Sequence, residues 1–340
     1  MPVFRSLNGG PLNGWPLNGW LAVLVLATAV AGLSVGSVPL SPAEALSALA
    51  GDGDPRMVAI LREIRLPRLL LGLEVGAALG LSGAALQGLL RNPLAEPGLI
   101  GVSSCAGLGA VLAFYFGLAS LWSFALPAMA MAGALVATAV LLAIAARTGG
   151  SLTLILSGIA LSSLSVALTS LALNLAPNPY AATEMLLWLL GSLKDRTPDD
   201  ALVAFPFILA GCGLLLATRN GLDALSLGED AARSLGVDLV RLRLLVIGGT
   251  AAAVGAAVSV SGSIGFVGLV VPHLLRPLVG HEPSRLLLPS ALGGAALVTA
   301  ADLVTRLIPT TQEVMLGVVT ALIGTPFFLI LILRAQREAP

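Results

Sequence analysis

Ten apolar runs, each close to the length of a bilayer crossing, divide this chain at roughly 20–38, 69–90, 98–118, 122–145, 152–175, 201–218, 242–261, 264–280, 286–305 and 314–333. A helix needs about 20 apolar residues to cross the hydrocarbon core. The runs are continuous in Leu, Ala, Val and Gly, whereas barrel strands are about 10 residues long and alternate in polarity. The expected fold class is therefore all-α, a polytopic membrane protein with about ten transmembrane helices. Composition agrees: 57% of residues are hydrophobic and 11% charged, against about a quarter charged in an ordinary globular domain. A chain this apolar cannot cover itself in water, which excludes a soluble enzyme, a disordered protein and a nucleic-acid binder. Lys+Arg and Asp+Glu number 18 each, so no net field draws in polyanions.

Residues 1–19 hold a near-tandem repeat, Pro11-Leu-Asn-Gly-Trp15 and Pro16-Leu-Asn-Gly-Trp20, which reads as a low-complexity cytoplasmic tail. Residues 20–335 form a single transmembrane domain. The first run lacks a small-residue cleavage site and is long enough to span, so it counts as a helix and not a signal peptide. With both termini inside, eleven basic residues fall on the cytoplasmic side and seven outside, as the positive-inside rule favours. The seven include Arg56, Arg62, Arg65 and Arg68, an unusual outer concentration.

Val75-Gly-Ala-Ala-Leu-Gly-Leu-Ser-Gly83 and Val254-Gly-Ala-Ala-Val-Ser-Val-Ser-Gly262 match at six of nine positions. At the same offset Arg62 pairs with Arg241, Leu90 with Leu269 and Pro93 with Pro272. Five spans separate the copies, so they run in opposite directions. The expectation is an inverted repeat of spans two to five and seven to ten, a transporter feature. Gly72, Gly76 and Gly80 share one face, which lets a neighbouring backbone approach closely; packing alone accounts for them.

No Walker A loop occurs, since Lys194 lacks the glycines that would cradle phosphates. His273 and His281 have no Cys, Asp or Glu at ligand spacing, and Cys105 and Cys212 sit in apolar runs as small hydrophobes. The chain is thus expected to be no enzyme and to hold no metal or other cofactor. Three stretches stand out. Arg91-Asn-Pro-Leu-Ala-Glu-Pro-Gly98 is a rigid turn whose prolines end one helix and start the next. The loop 219–240 reads as two short helices, with Glu229 and Asp230 in a first turn where the dipole favours acid. Ala232, Leu235 and Leu239 make its apolar stripe, and Gly236 its stop. Its polar face is acidic where a lipid anchor would be basic, so it is expected to dock on a protein. The third stretch, 56–68, presents outer arginines suited to gripping carboxylates, with Arg306 on the same side.

Arg65-Leu-Pro-Arg68, Gly76-Ala-Ala-Leu…Ser-Gly83, Gln87, Arg91-Asn-Pro-Leu-Ala-Glu-Pro97, Leu227-Gly-Glu-Asp-Ala-Ala-Arg-Ser-Leu-Gly236, Gly265-Phe-Val-Gly-Leu-Val-Val-Pro-His273 and Gly317-Val-Val-Thr-Ala-Leu-Ile-Gly-Thr-Pro-Phe-Phe328 occur in order. Over residues 40–335 this resembles the permease subunit of type II ABC importers, the FecCD family for iron-siderophore, haem and cobalamin uptake. The resemblance implies a homodimer in the bacterial inner membrane, two separate ATP-binding subunits that carry ATP and Mg, and a periplasmic substrate-binding protein. It implies that Arg65, Arg68 and Arg306 receive acidic residues of that protein. It places Leu227, Gly228, Glu229, Ala231, Ala232, Ser234, Leu235 and Gly236 on the ATPase-coupling surface, and Ser151 and Leu152 at a cytoplasmic gate.

An ion-coupled transporter would also show an inverted repeat, but it needs intramembrane acids. Glu74 and Asp302 both lie near the outer ends of their spans, where each can pair with an arginine. Spans five, eight and ten offer almost no charge, which suits a bulky chelate that slides. An iron complex, haem before ferric siderophore, is the expected cargo, and cobalamin the alternative.

Overall fold

The structure, a computed structural model, describes residues 14–36, 38–122, 124–148, 151–310 and 312–338. Helix α1 (Gly14–Ser34) is followed by α2 (Pro42–Ala50) and α3 (Pro55–Ala59), which runs through a π-helical turn, Ile60–Arg65, into α4 (Leu66–Leu90). Then come α5 (Val102–Tyr115), α6 (Leu118–Leu121), α7 (Ala125–Thr148), α8 (Ser151–Asn174), α9 (Pro179–Leu189) and α10 (Pro198–Ala217). The short helices α11 (Arg219–Ser226) and α12 (Glu229–Ser234) precede α13 (Leu239–Ser261), α14 (Val267–Leu275), α15 (Pro283–Leu307) and α16 (Leu316–Glu338). No strand occurs among the described residues.

Seven helices are long and apolar enough to cross a membrane, and three shorter apolar ones, at 102–115, 267–279 and 316–330, complete the expected set of ten among the described residues. The boundaries differ in two instructive places. α1 starts before its apolar run, at Gly14, and buries Leu17, so the second copy of the N-terminal repeat is helical; residues 1–13 lie outside the described residues. α5 is short because Pro97–Ile100 is a 3-10 turn and Gly101 takes φ 79°, a left-handed break.

The stripe Gly72, Gly76 and Gly80 faces α15. A Cβ on Gly76 would stand 2.3 Å from the Gly294 carbonyl, and one on Gly80 2.0 Å from that of Ser290. The same face continues at Gly83, which lies against Gly268 of α14. α4 thus touches two neighbours backbone to backbone, as helices in lipid do through small residues.

The sequence echo is architectural. α4 packs along α15, and its counterpart α13 packs along α7. The matched glycines sit at these equivalent crossings: Gly76 meets Gly294 of α15, and Gly255 meets Ala134 of α7. α4 and α13 also touch each other and run antiparallel, because Leu89 and Leu90 at the end of α4 share a small cavity with Leu239 and Leu242 at the start of α13. Each half therefore inserts its first helix into the other half. The correspondence stops at Gly83 and Gly262. α4 continues to Leu90, whereas Gly262 (φ 70°) ends α13, so the Leu90–Leu269 and Pro93–Pro272 matches are not structurally equivalent.

Candidate functional site

The bundle has two charged ends. At one, the three expected docking arginines converge on α1, α4 and α15. Arg65 is 4% exposed; its Nη1 donates to the carbonyls of Leu33 (2.5 Å) and Ser34 (3.1 Å), and its Nη2 to that of Val38. Arg68, 8% exposed, pairs with Asp302 at 2.9 Å and Glu313 at 3.0 Å and donates to Thr305. Arg306 takes the other Asp302 oxygen at 2.5 Å and donates to the Gly32 carbonyl at 2.9 Å. Asp302 is thus held between two guanidiniums, a fork geometry that arginine supplies and lysine does not. The arginines lie together at this end, but they are buried and internally bonded, not open to a partner. The expected Asp302–Arg306 pair is present. Glu74 has no ion-pair partner among the described residues: it lies in α4 with its Oε2 buried and without a hydrogen bond.

At the opposite end lies the 219–236 segment. Leu222, Leu225 and Ala232 are buried and fix it to the bundle, while Leu227 and Leu235 project outward, 69% and 65% exposed. Leu235 is therefore on the free face, not in one buried stripe with Ala232 and Leu239. Gly228 (φ 116°) and Gly236 (φ 83°) make the two turns that only glycine adopts cheaply. Gly236 N–H donates to the Arg233 carbonyl and Val237 N–H to that of Ala232, a Schellman end to α12. Glu229 accepts from Arg243 at 2.9 Å and Arg233 at 3.3 Å. Ala231 is half-buried and Ser234 is exposed. Of the expected gate, Leu152 is exposed on α8, and Ser151 opens that helix, its side chain lying outside the described residues.

Between the ends, two irregular segments meet. Glu96, in the turn before α5, faces the backbone of Phe266, and burial, partly offset by that neighbour, pushes its carboxyl above the usual 4.5. Phe266 is left-handed (φ 66°), and its side chain lies where a Cβ on Gly324 of α16 would stand, 2.4 Å away. The sequence reading treated 91–98 as a rigid turn and missed Glu96 as a latch. Its partner lies 170 residues on, and only the proline–acid–proline pattern marked the spot. Beside the latch is an open cavity of about 620 Å³, lined by Leu189, Leu190, Phe266, Ala321, Leu322 and Leu329 among others. Its polar side chains are Ser263 and Thr325, with no charge.

A multi-pass helical bundle with crossed halves and broken helices at their junction is the architecture of a membrane permease. A metal-chelate type ABC transporter solved in an inward-facing conformation superposes with a TM-score of 0.84 at 35% identity, covering 94% of this chain and 99% of that one. The class is therefore an ABC importer permease. More narrowly, the chain belongs to the FecCD transport family, whose model matches residues 23–334. Its relatives include the cobalamin import system permease protein BtuC of Halobacterium salinarum, 44% identical over 276 residues, covering 80% of this chain and 73% of the relative. The vitamin B12 import system permease protein BtuC of Escherichia coli is 39% identical over 321 residues, covering 93% and 94%.

Proposed function

We propose that this permease passes a bulky metal chelate from a binding protein into the cytoplasm, with a corrinoid as its cargo ahead of haem or a ferric siderophore. The observation that carries the chelate reading is the wide, uncharged, apolar wall of the 620 Å³ cavity. Such a surface offers a large solute area without the ion pairs that would hold it. The relatives named for cobalamin favour the corrinoid over the iron complexes. A second copy of the chain closes the wall across a dimer axis, and two ATPase subunits dock on the exposed Leu227 and Leu235. The binding protein docks at the Arg65–Arg68–Arg306 end, which makes that end periplasmic and puts both termini in the cytoplasm.

The test is reconstitution in liposomes with the cognate ATPase and binding protein, followed by uptake of cyanocobalamin, haemin and a ferric siderophore in turn. Uptake of cyanocobalamin with ATP supports the corrinoid reading; uptake of haemin alone overturns it while leaving the chelate reading in place. Leu235→Asp is expected to abolish uptake, because it places a charge on the apolar docking face.

A further inference from the structure

We propose that Glu229 and Arg243 form the tie through which the α11–α12 segment moves the membrane-spanning bundle, an inference that rests on the permease reading above. Arg243 lies one turn into α13 and is 7% exposed. Glu229, the first residue of α12, is its only ion-pair partner among the described residues, at 2.9 Å. The second Glu229 oxygen meets Arg233 at 3.3 Å, but that side chain is 58% exposed. The two contacts on one carboxylate are therefore unequal. An exposed pair trades water for charge at little gain. The Glu229 side chain is 32% exposed but that of Arg243 only 9%, so parting this pair leaves the guanidinium as an uncompensated charge in a poor solvent. When α12 is displaced, α13 must follow it or strand its guanidinium.

The pair also sits where several elements can be moved together. Glu229 and Arg243 border a small cavity with Leu89 and Leu90 of α4, Leu154 of α8 and Leu225 of α11. Leu154 is two residues beyond Leu152, so the tie acts beside the start of α8. The rest of α12 offers no equivalent side-chain link, since Asp230 and Ser234 are exposed and Ala232 is buried without a polar side chain. α11 adds a neutral-donor contact, Asp223 accepting the Ser284 N–H of α15 at 2.8 Å, which strands no charge on α13 when it parts. Glu229 and Arg243 are positioning residues, since neither touches ATP or cargo.

The experiment uses the full transporter in liposomes and reads the stimulation of ATP hydrolysis on addition of the binding protein. Arg243→Met is expected to assemble with the ATPase subunits and retain basal hydrolysis, yet to lose stimulation about tenfold, the scale of coupling between contacting residues. Arg243→Lys, which keeps the charge, should restore most of the stimulation, and Arg233→Met should keep it. Adding Glu229→Gln to Arg243→Met should cost nothing more, because the tie is already cut. Wild-type stimulation in Arg243→Met, or an equal loss in Arg233→Met, overturns the proposal. If Arg243→Met fails to assemble, Glu229→Gln decides, read together with ATPase binding because Glu229 also lies on the expected coupling surface. Lost stimulation with wild-type ATPase binding supports the tie, and full stimulation, or a loss that tracks lost ATPase binding, refutes it. A wild-type permease that recruits no ATPase overturns the permease reading itself, a result distinct from any of these.

Discussion

Two acids within the spans, Glu74 and Asp302, meet opposite environments. Asp302 is shared by Arg68 and Arg306 and is almost wholly buried, while Glu74 has no ion-pair partner among the described residues and a buried oxygen without a hydrogen bond. Removing one member of a buried ion pair costs about 3–5 kcal/mol, so Asp302→Asn should lower the unfolding midpoint in detergent sharply. Glu74→Gln should leave that midpoint unchanged or raise it, because it removes only an uncompensated carboxyl. Glu96 gives a pH signature. Its folded carboxyl holds its proton more tightly than the usual 4.5, so the stability it contributes is complete below that pH and is lost as pH rises through the folded value. Glu96→Gln should therefore raise thermal stability at neutral pH, with the gain vanishing below about pH 4.5; a gain independent of pH would contradict the assignment. At this scale the sequence was half legible. Asp302 and Arg306 stand four apart and announce their pair, but nothing local joins Arg68 to Asp302 across 234 residues.

The helices are legible as elements because lipid demands length and apolarity from each of them. The short third helix was not, since the Pro97–Gly101 break is as apolar as the helix it interrupts. The face of Gly72, Gly76 and Gly80 could be read from spacing, but its partner could not: spacing says that a backbone comes close, not which one. The crossing can be tested directly. Gly80→Ala puts a methyl group 2.0 Å from the Ser290 carbonyl, and overpacking of this kind costs about 1–3 kcal/mol. Gly248→Ala on α13 meets nothing within 4 Å and should stabilise by up to about 1 kcal/mol through helix propensity alone. Paired melting curves in one detergent separate the two, and equal shifts would mean that the α4–α15 crossing is looser than described.

For the whole molecule, the proposed direction in the membrane can be tested at the two charged ends. On a background with Cys105 and Cys212 replaced, an impermeant thiol reagent added from the periplasm should label Tyr180→Cys and spare Asp230→Cys, both sites being open to solvent; the reverse pattern would invert the orientation. The inverted repeat was visible as nine residues of echo, but the exchange of first helices between halves was not, because contacts between halves leave no periodic trace. That exchange has a consequence during synthesis. Gly76 and Gly294 are 218 residues apart, and ribosomes add about 5–20 residues per second, so α4 waits about 10–40 s in the bilayer with its glycine face uncovered. During that interval the nascent chain offers any passing helix the groove reserved for α15. The exchange that interlocks the two halves of the finished bundle leaves the newborn one dependent on its own last third.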